Sequence, residues 1–139
     1  MKQDKISLRP LEQAFSKFET FRHNLGSEQL RAGAIQAFEY SFELSWKTMR
    51  RVLEERGKIA NSPKETFRMA ALENLIGDPE LWFNFIKKHN ITMYAYDETN
   101  ADEVIAVFGS FSTEIKKLLN KLRNEETPKN FSTSLNQIW

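Results

Sequence analysis

The sequence predicts an all-α protein, an antiparallel up-and-down helical bundle of about five helices with four in the core. Three observations carry this. Apolar residues recur at spacings of three and four along most of the 139 residues, the period of a helix that buries one face. Glycine and proline are scarce, at five and four, and they fall between the periodic stretches, where they punctuate helices. Residues with short oxygen-bearing side chains stand where several stretches begin, as helix N-caps do.

The first stretch runs from about Ser7 to Asn24. Leu8, Leu11, Phe15, Phe18 and Leu25 mark one apolar stripe, and Gly26 is its stop. The second is long, from about Ser27, which can cap it, to Arg56, with Gly57 ending it. Ile35, Phe38, Phe42, Trp46, Met49 and Leu53 form its stripe. Beside them runs a charged line, Glu39, Glu43, Lys47 and Arg51. Glu43 precedes Lys47 by four, the favourable order for a helical ion pair.

The third stretch opens at Ser62-Pro63-Lys64-Glu65, with Ser62 as N-cap, Pro63 at the first helical position and Glu65 completing a capping box. It is expected to reach about Leu75, with Gly77 closing it. The fourth opens on Asp78-Pro79, carries Leu81, Trp82, Phe85 and Ile86, and enters His89-Asn90-Ile91-Thr92-Met93-Tyr94-Ala95-Tyr96. The β-branched and aromatic residues there weaken a helix, so a distorted last turn or a break is expected. The fifth is read as continuous from near Thr99 to about Asn124. Its Val104, Phe108, Phe111, Ile115, Leu118 and Leu122 alternate spacings of four and three, the seam of a bundle helix. No strand pattern, repeat or second domain is visible. The chain reads as one domain over 1–139, with a loosely ordered tail from about residue 127 that carries Phe131, Leu135, Ile138 and Trp139 and docks at home or on a partner.

Composition narrows the function classes. A formal net charge of +1 argues against capture of nucleic acid or membrane by bulk electrostatics, while allowing a local basic patch. The absence of cysteine rules out disulfides, cysteine nucleophiles and thiolate metal sites, and suits a reducing cytoplasm, the expected location. No apolar run of ~20 residues is present to span a membrane, and the N-terminus has no signal-peptide core. Eleven phenylalanines and three tryptophans are many for this length and imply a core filled with rings.

Self-contained catalytic chemistry is thin. There is no Gly-rich phosphate loop and no HExxH. The two histidines, His23 and His89, cannot make a histidine-rich metal site in one chain, and the Glu-x-x-His pairs of carboxylate metal bundles do not occur. Neither a metal nor a cofactor is expected. Glu39 and Glu43 share a helical face and read either as paired carboxylates or as a solvated or interface stripe with Lys47. The segment His89 to Asp97 gathers His89, Asn90, Thr92, Tyr94, Tyr96 and Asp97 within nine residues. Such a cluster can hydrogen-bond a base or phosphate and stack on a base. It can equally be a helix end whose polar groups satisfy freed carbonyls. If the helix persists, His89 lines up with Tyr96, and Asn90 with Asp97.

Three ordered stretches resemble the HEPN superfamily, in particular the bacterial nucleotidyltransferase substrate-binding proteins. They are Ala37 to Lys47 followed by Gly57, Ser62 to Ala70 followed by Leu75-Ile76 and Trp82, and His89 to Glu98. The resemblance implies a homodimeric helical bundle that pairs with a small nucleotidyltransferase in a two-component, toxin–antitoxin-like complex. Glu39, Glu43, Trp46 and Lys47 are then candidates for the partner or dimer interface. Some relatives in such pairs are ribonuclease toxins whose motif is Arg, four residues, His, one residue, Tyr. In some pairs the nucleotidyltransferase adds AMP to that tyrosine. Here His89 stands at the Arg position and Tyr94 at the His position, while Asn90, Tyr96 and Asp97 look kept. A partly charged histidine is a poorer phosphate clamp than arginine, and a phenol is a poor general base at neutral pH. The expectation is therefore a nucleotide-binding or docking subunit with a degenerate ribonuclease motif, with Asn90, Tyr96 and Asp97 as nucleotide-contacting or modified positions. The alternative is a metal-independent HEPN ribonuclease with an altered site.

Overall fold

A computed structural model of the protein describes residues 6–126. The tail reading, with Phe131, Leu135, Ile138 and Trp139, lies outside these residues. Among the described residues the elements are α1 (Arg9–Phe21), α2 (Glu28–Glu55), α3 (Pro63–Leu72), α4 (Pro79–Asn90), a single 3-10 turn (Thr92–Tyr94), α5 (Glu98–Ile105) and α6 (Phe108–Glu126), with no strand.

The expected caps form. Ser27 Oγ accepts from Leu30 N at 3.1 Å, and Ser62 Oγ from Glu65 N at 3.1 Å. Glu65 reaches back to Asn61 N at 2.7 Å, one residue before the N-cap, so the capping box is offset. Asp78 Oδ1 accepts from Glu80 N at 2.9 Å. Gly57 ends α2 with a φ of 77°, its N–H bonding Glu54 O while Lys58 N bonds Leu53 O. This is the paired-bond C-terminal motif that needs a left-handed residue.

Two boundaries differ from the sequence reading. The third helix ends at Leu72, before Leu75 and Gly77. Asn74 takes the left-handed position at φ 64°, and Leu75 N closes on Ala70 O at 2.8 Å. Asparagine tolerates that conformation because its side chain is short and polar. The fifth stretch is two helices, α5 and α6. At the joint Val107 N bonds Val104 O at 3.1 Å in a tightened turn. Val104, Ile105, Val107 and Gly109 all have low helix propensity and weaken the ladder there. The seam survives the break: Val104, Phe108, Phe111, Ile115, Leu118 and Leu122 are all buried.

The helices pack antiparallel. Arg123 Nη2 near the end of α6 reaches Glu12 in the first turn of α1 at 2.9 Å, while Ser112 near the start of α6 reaches Glu19 toward the end of α1 at 2.5 Å. Between α1 and α2, Ser41 Oγ donates to Ala14 O at 3.2 Å. The core is a continuous ring network. Phe18 meets Phe108 and Phe111 edge-on at 5.1 and 5.3 Å, Phe38 meets Phe111 at 4.9 Å, and Phe111 meets Phe85 at 5.3 Å. Phe42, Phe67 and Trp82 extend it toward α3 and α4. Edge-to-face pairs of this kind add ~0.5–1.5 kcal/mol each beyond the area they bury. The rings of α1, α2, α3, α4 and α6 thus meet in one core, with α5 closing its side. None of the described helices is long and apolar enough to cross a membrane.

Candidate functional site

The break expected after α4 is real, and it decides where the candidate residues go. The helix stops at Asn90, and the chain turns through Thr92–Tyr94 before Asp97 caps α5, its Oδ1 accepting from Thr99 N at 2.8 Å. The alignments of His89 with Tyr96 and of Asn90 with Asp97, which needed a continuous helix, are therefore not formed. Asp97 serves as a cap, and Asn100 Nδ2 donates to Tyr94 O at 3.1 Å to hold the turn from below.

His89 faces the core side. Its ring lies 4.9 Å from that of Phe42, and Nε2 stands 3.2 Å from Glu43 Oε2. Glu43 is a hub: Oε1 accepts from Trp46 Nε1 at 3.3 Å and lies 3.5 Å from Lys47 Nζ. Trp46 is almost buried, with the Arg50 guanidinium 4.9 Å over its ring. One turn earlier on α2, Glu39 Oε2 lies 2.6 Å from Thr92 Oγ1, which is also 2.8 Å from His89 O. A hydroxyl has one proton, and the carboxylate is the stronger acceptor. The two carboxylates therefore do not act as a free pair. They clamp both ends of the His89–Thr92 turn onto α2. Glu43–His89 and Glu39–Thr92 span dozens of positions in sequence, and no local pattern marks them.

The tyrosines go the other way. Tyr94 is 52% exposed and Tyr96 88% exposed, and neither hydroxyl makes a hydrogen bond among the described residues. His89 and Tyr94, the two motif positions, thus belong to different environments, one clamped and one in solvent. No group of three or more His, Asp or Glu side chains among the described residues is placed to hold a metal ion.

Two grooves flank this segment, and their charges differ. One, of about 520 Å³, lies between α2 and the turn–α5 region, with Ile35, Ala95 and Ala101 inside and Tyr96 among its lining residues. Among the described residues, Glu28, Glu39 and Glu98 line it against a single cation, Arg31, which Asp102 holds at 2.6 Å and Glu98 approaches at 3.5 Å. The other, of about 470 Å³, lies between α3 and α4 and includes Lys64, Asn84, Lys87 and Asn90. Composition alone gives no sign of this segregation, because the whole chain is nearly neutral.

Comparison with known proteins bears on the same region. Residues 4–124 match the family described as nucleotidyltransferase substrate binding protein like. The chain is similar to a Haemophilus influenzae protein named Probable ribonuclease HepT, 32% identical over 88% of this chain and 96% of that one. Among solved structures it resembles a Haemophilus influenzae protein reported to reveal the fold of a substrate binding domain of a nucleotidyltransferase. The TM-score is 0.78 with 32% identity, covering 84% of this chain and 99% of that one. A Thermus thermophilus protein matches with a TM-score of 0.77 and 27% identity, over 81% of this chain and 98% of that one. The match covers all three stretches of the sequence resemblance, from α2 to the turn after α4. The chain belongs to the nucleotidyltransferase substrate-binding protein family.

Proposed function

We propose that this single-domain protein is the nucleotide-binding and docking subunit of a two-component complex with a small nucleotidyltransferase, and that its ribonuclease motif is degenerate. The observation that carries the reading is the split motif. His89 is only 21% exposed and is tied to Glu43, whereas Tyr94 stands in solvent with a hydroxyl that bonds nothing among the described residues. A general acid–base pair must converge on one reacting phosphate, and these two side chains do not share an environment within one chain. Exposed Tyr96 offers a hydroxyl that a partner enzyme can modify or use as a nucleotide contact, with Asn90 nearby in sequence. A phenol needs only an activated phosphate, a base and a metal, all of which a nucleotidyltransferase supplies.

The second reading, a metal-independent ribonuclease, draws support from the name of the Haemophilus influenzae relative. It is also favoured by the 3.2 Å contact of His89 with Glu43, since a carboxylate can fix the tautomer of a catalytic imidazole. RNA incubated with the purified protein in EDTA separates the two. The docking reading predicts intact RNA. Robust cleavage, abolished by His89→Ala, overturns it in favour of the ribonuclease.

A further inference from the structure

The geometry points to the groove between α3 and α4 as the subsite that takes the phosphate of a nucleotide, with Lys64, Lys87, Asn84 and Asn90 as its contacts. The inference rests on the nucleotide-binding reading above and adds the place and the polarity of binding.

Lys64 and Lys87 are exposed and form no ion pair among the described residues, unlike Lys88, which Glu103 holds at 2.9 Å. Among the described residues, Glu80 is the one carboxylate lining the groove. A third cation, Arg68, lies beside the same wall, its guanidinium carbon 5.3 Å over the ring of Phe83. Asn84 and Asn90 add amide donors, which can bond phosphate oxygens without adding charge.

The opposite groove makes the assignment directional. Glu28, Glu39 and Glu98 line it against one arginine that is already held by Asp102, so a phosphate entering there meets net repulsion. The segment from His89 to Tyr96 therefore has an acidic side at Thr92, Ala95 and Tyr96 and a basic side at Asn90. Of the two grooves, the one between α3 and α4 gives a phosphorylated ligand reaching this segment the more favourable field. The alternative role for Lys87 is to complement the C-terminal dipole of α4. That role does not account for Lys64 at the start of α3, where a cation is the unfavourable charge.

The test uses the full chain with three probes: ATP, a 5′-phosphorylated single-stranded RNA oligomer, and adenosine as the phosphate-free control. Binding is measured by calorimetry and by fluorescence anisotropy across salt concentrations. Lys64→Ala/Lys87→Ala is compared with Lys116→Ala/Lys121→Ala, which removes the same charge from exposed positions on α6. The expected result is at least about a tenfold loss of affinity in the first variant for ATP, RNA or both, with less than about a threefold loss in the second. For single-stranded RNA, the log–log salt slope should flatten by up to about 1.4, roughly 0.7 for each lysine. Which probe loses affinity tells whether the phosphate belongs to a free nucleotide or to RNA. Equal losses in the two variants, or undiminished binding in the first, overturn the subsite and leave nucleotide binding standing. Failure of the unmodified protein to bind either phosphorylated probe overturns both.

Discussion

Glu19 on α1 carries a small conflict of forces that is settled by two neighbours. Burial alone would raise its carboxyl pKa, but hydrogen bonds from Ser112 and Arg22 and the Arg22 charge outweigh it and hold the group below its ordinary value of 4.5. A carboxyl with a depressed folded pKa binds fewer protons folded than unfolded. Its stabilisation is complete above the unfolded value and is lost as pH falls through the folded one. Ser112→Ala should therefore cost about 1 kcal/mol at pH 7, and the difference should shrink once the pH falls well below 4.5. Urea unfolding at pH 7 and at about pH 3 checks this, and an unchanged difference at the lower pH contradicts it. Residue-level contacts of this sort are the least legible in the sequence. Ser112 reads only as a polar residue on the fifth helix, and Glu43 reads as the i,i+4 partner of Lys47. Its contact with His89 arises because α4 packs against α2, which no local spacing reveals. Tyr94 and Tyr96 can be named as candidates from sequence, but their exposure depends on the turn that replaces the last helical span.

At the scale of elements, starts are easier to read than stops. Serine and aspartate caps act on backbone donors two or three residues away, so Ser27, Ser62 and Asp78 can be placed from sequence alone. The stop of α3 cannot, since Gly77 looks the natural candidate and Asn74 takes the role. Likewise the joint between α5 and α6 interrupts a seam whose apolar spacing runs on undisturbed. The two left-handed stops give a paired expectation. Gly57→Ala should destabilise by about 1 kcal/mol, because an added Cβ is disfavoured at positive φ. Asn74→Gly, which removes a Cβ from the same conformation, should leave stability unchanged or slightly higher. Denaturant midpoints of the two variants decide this, and a loss for Asn74→Gly equal to that for Gly57→Ala would count against the shared geometry.

For the molecule as a whole, the bundle is legible because periodic stripes and a ring-rich core point to the same architecture. Assembly is not, because it depends on what meets the exposed surface. Tyr40 on α2 and Met93, Tyr94 and Tyr96 after α4 each present 52–88% of their areas to solvent, and aromatic and thioether side chains are enriched at interfaces. A homodimer is expected, and sedimentation equilibrium at micromolar concentration should give about twice the 16.3 kDa chain mass. A monomer under those conditions would contradict the dimer. Docking of a small nucleotidyltransferase, as proposed above, can be read from sedimentation velocity of the two purified proteins run together. A single faster boundary containing both chains is expected, weakened when Tyr94 and Tyr96 are replaced by alanine. Independent sedimentation of the two proteins at tens of micromolar would contradict it.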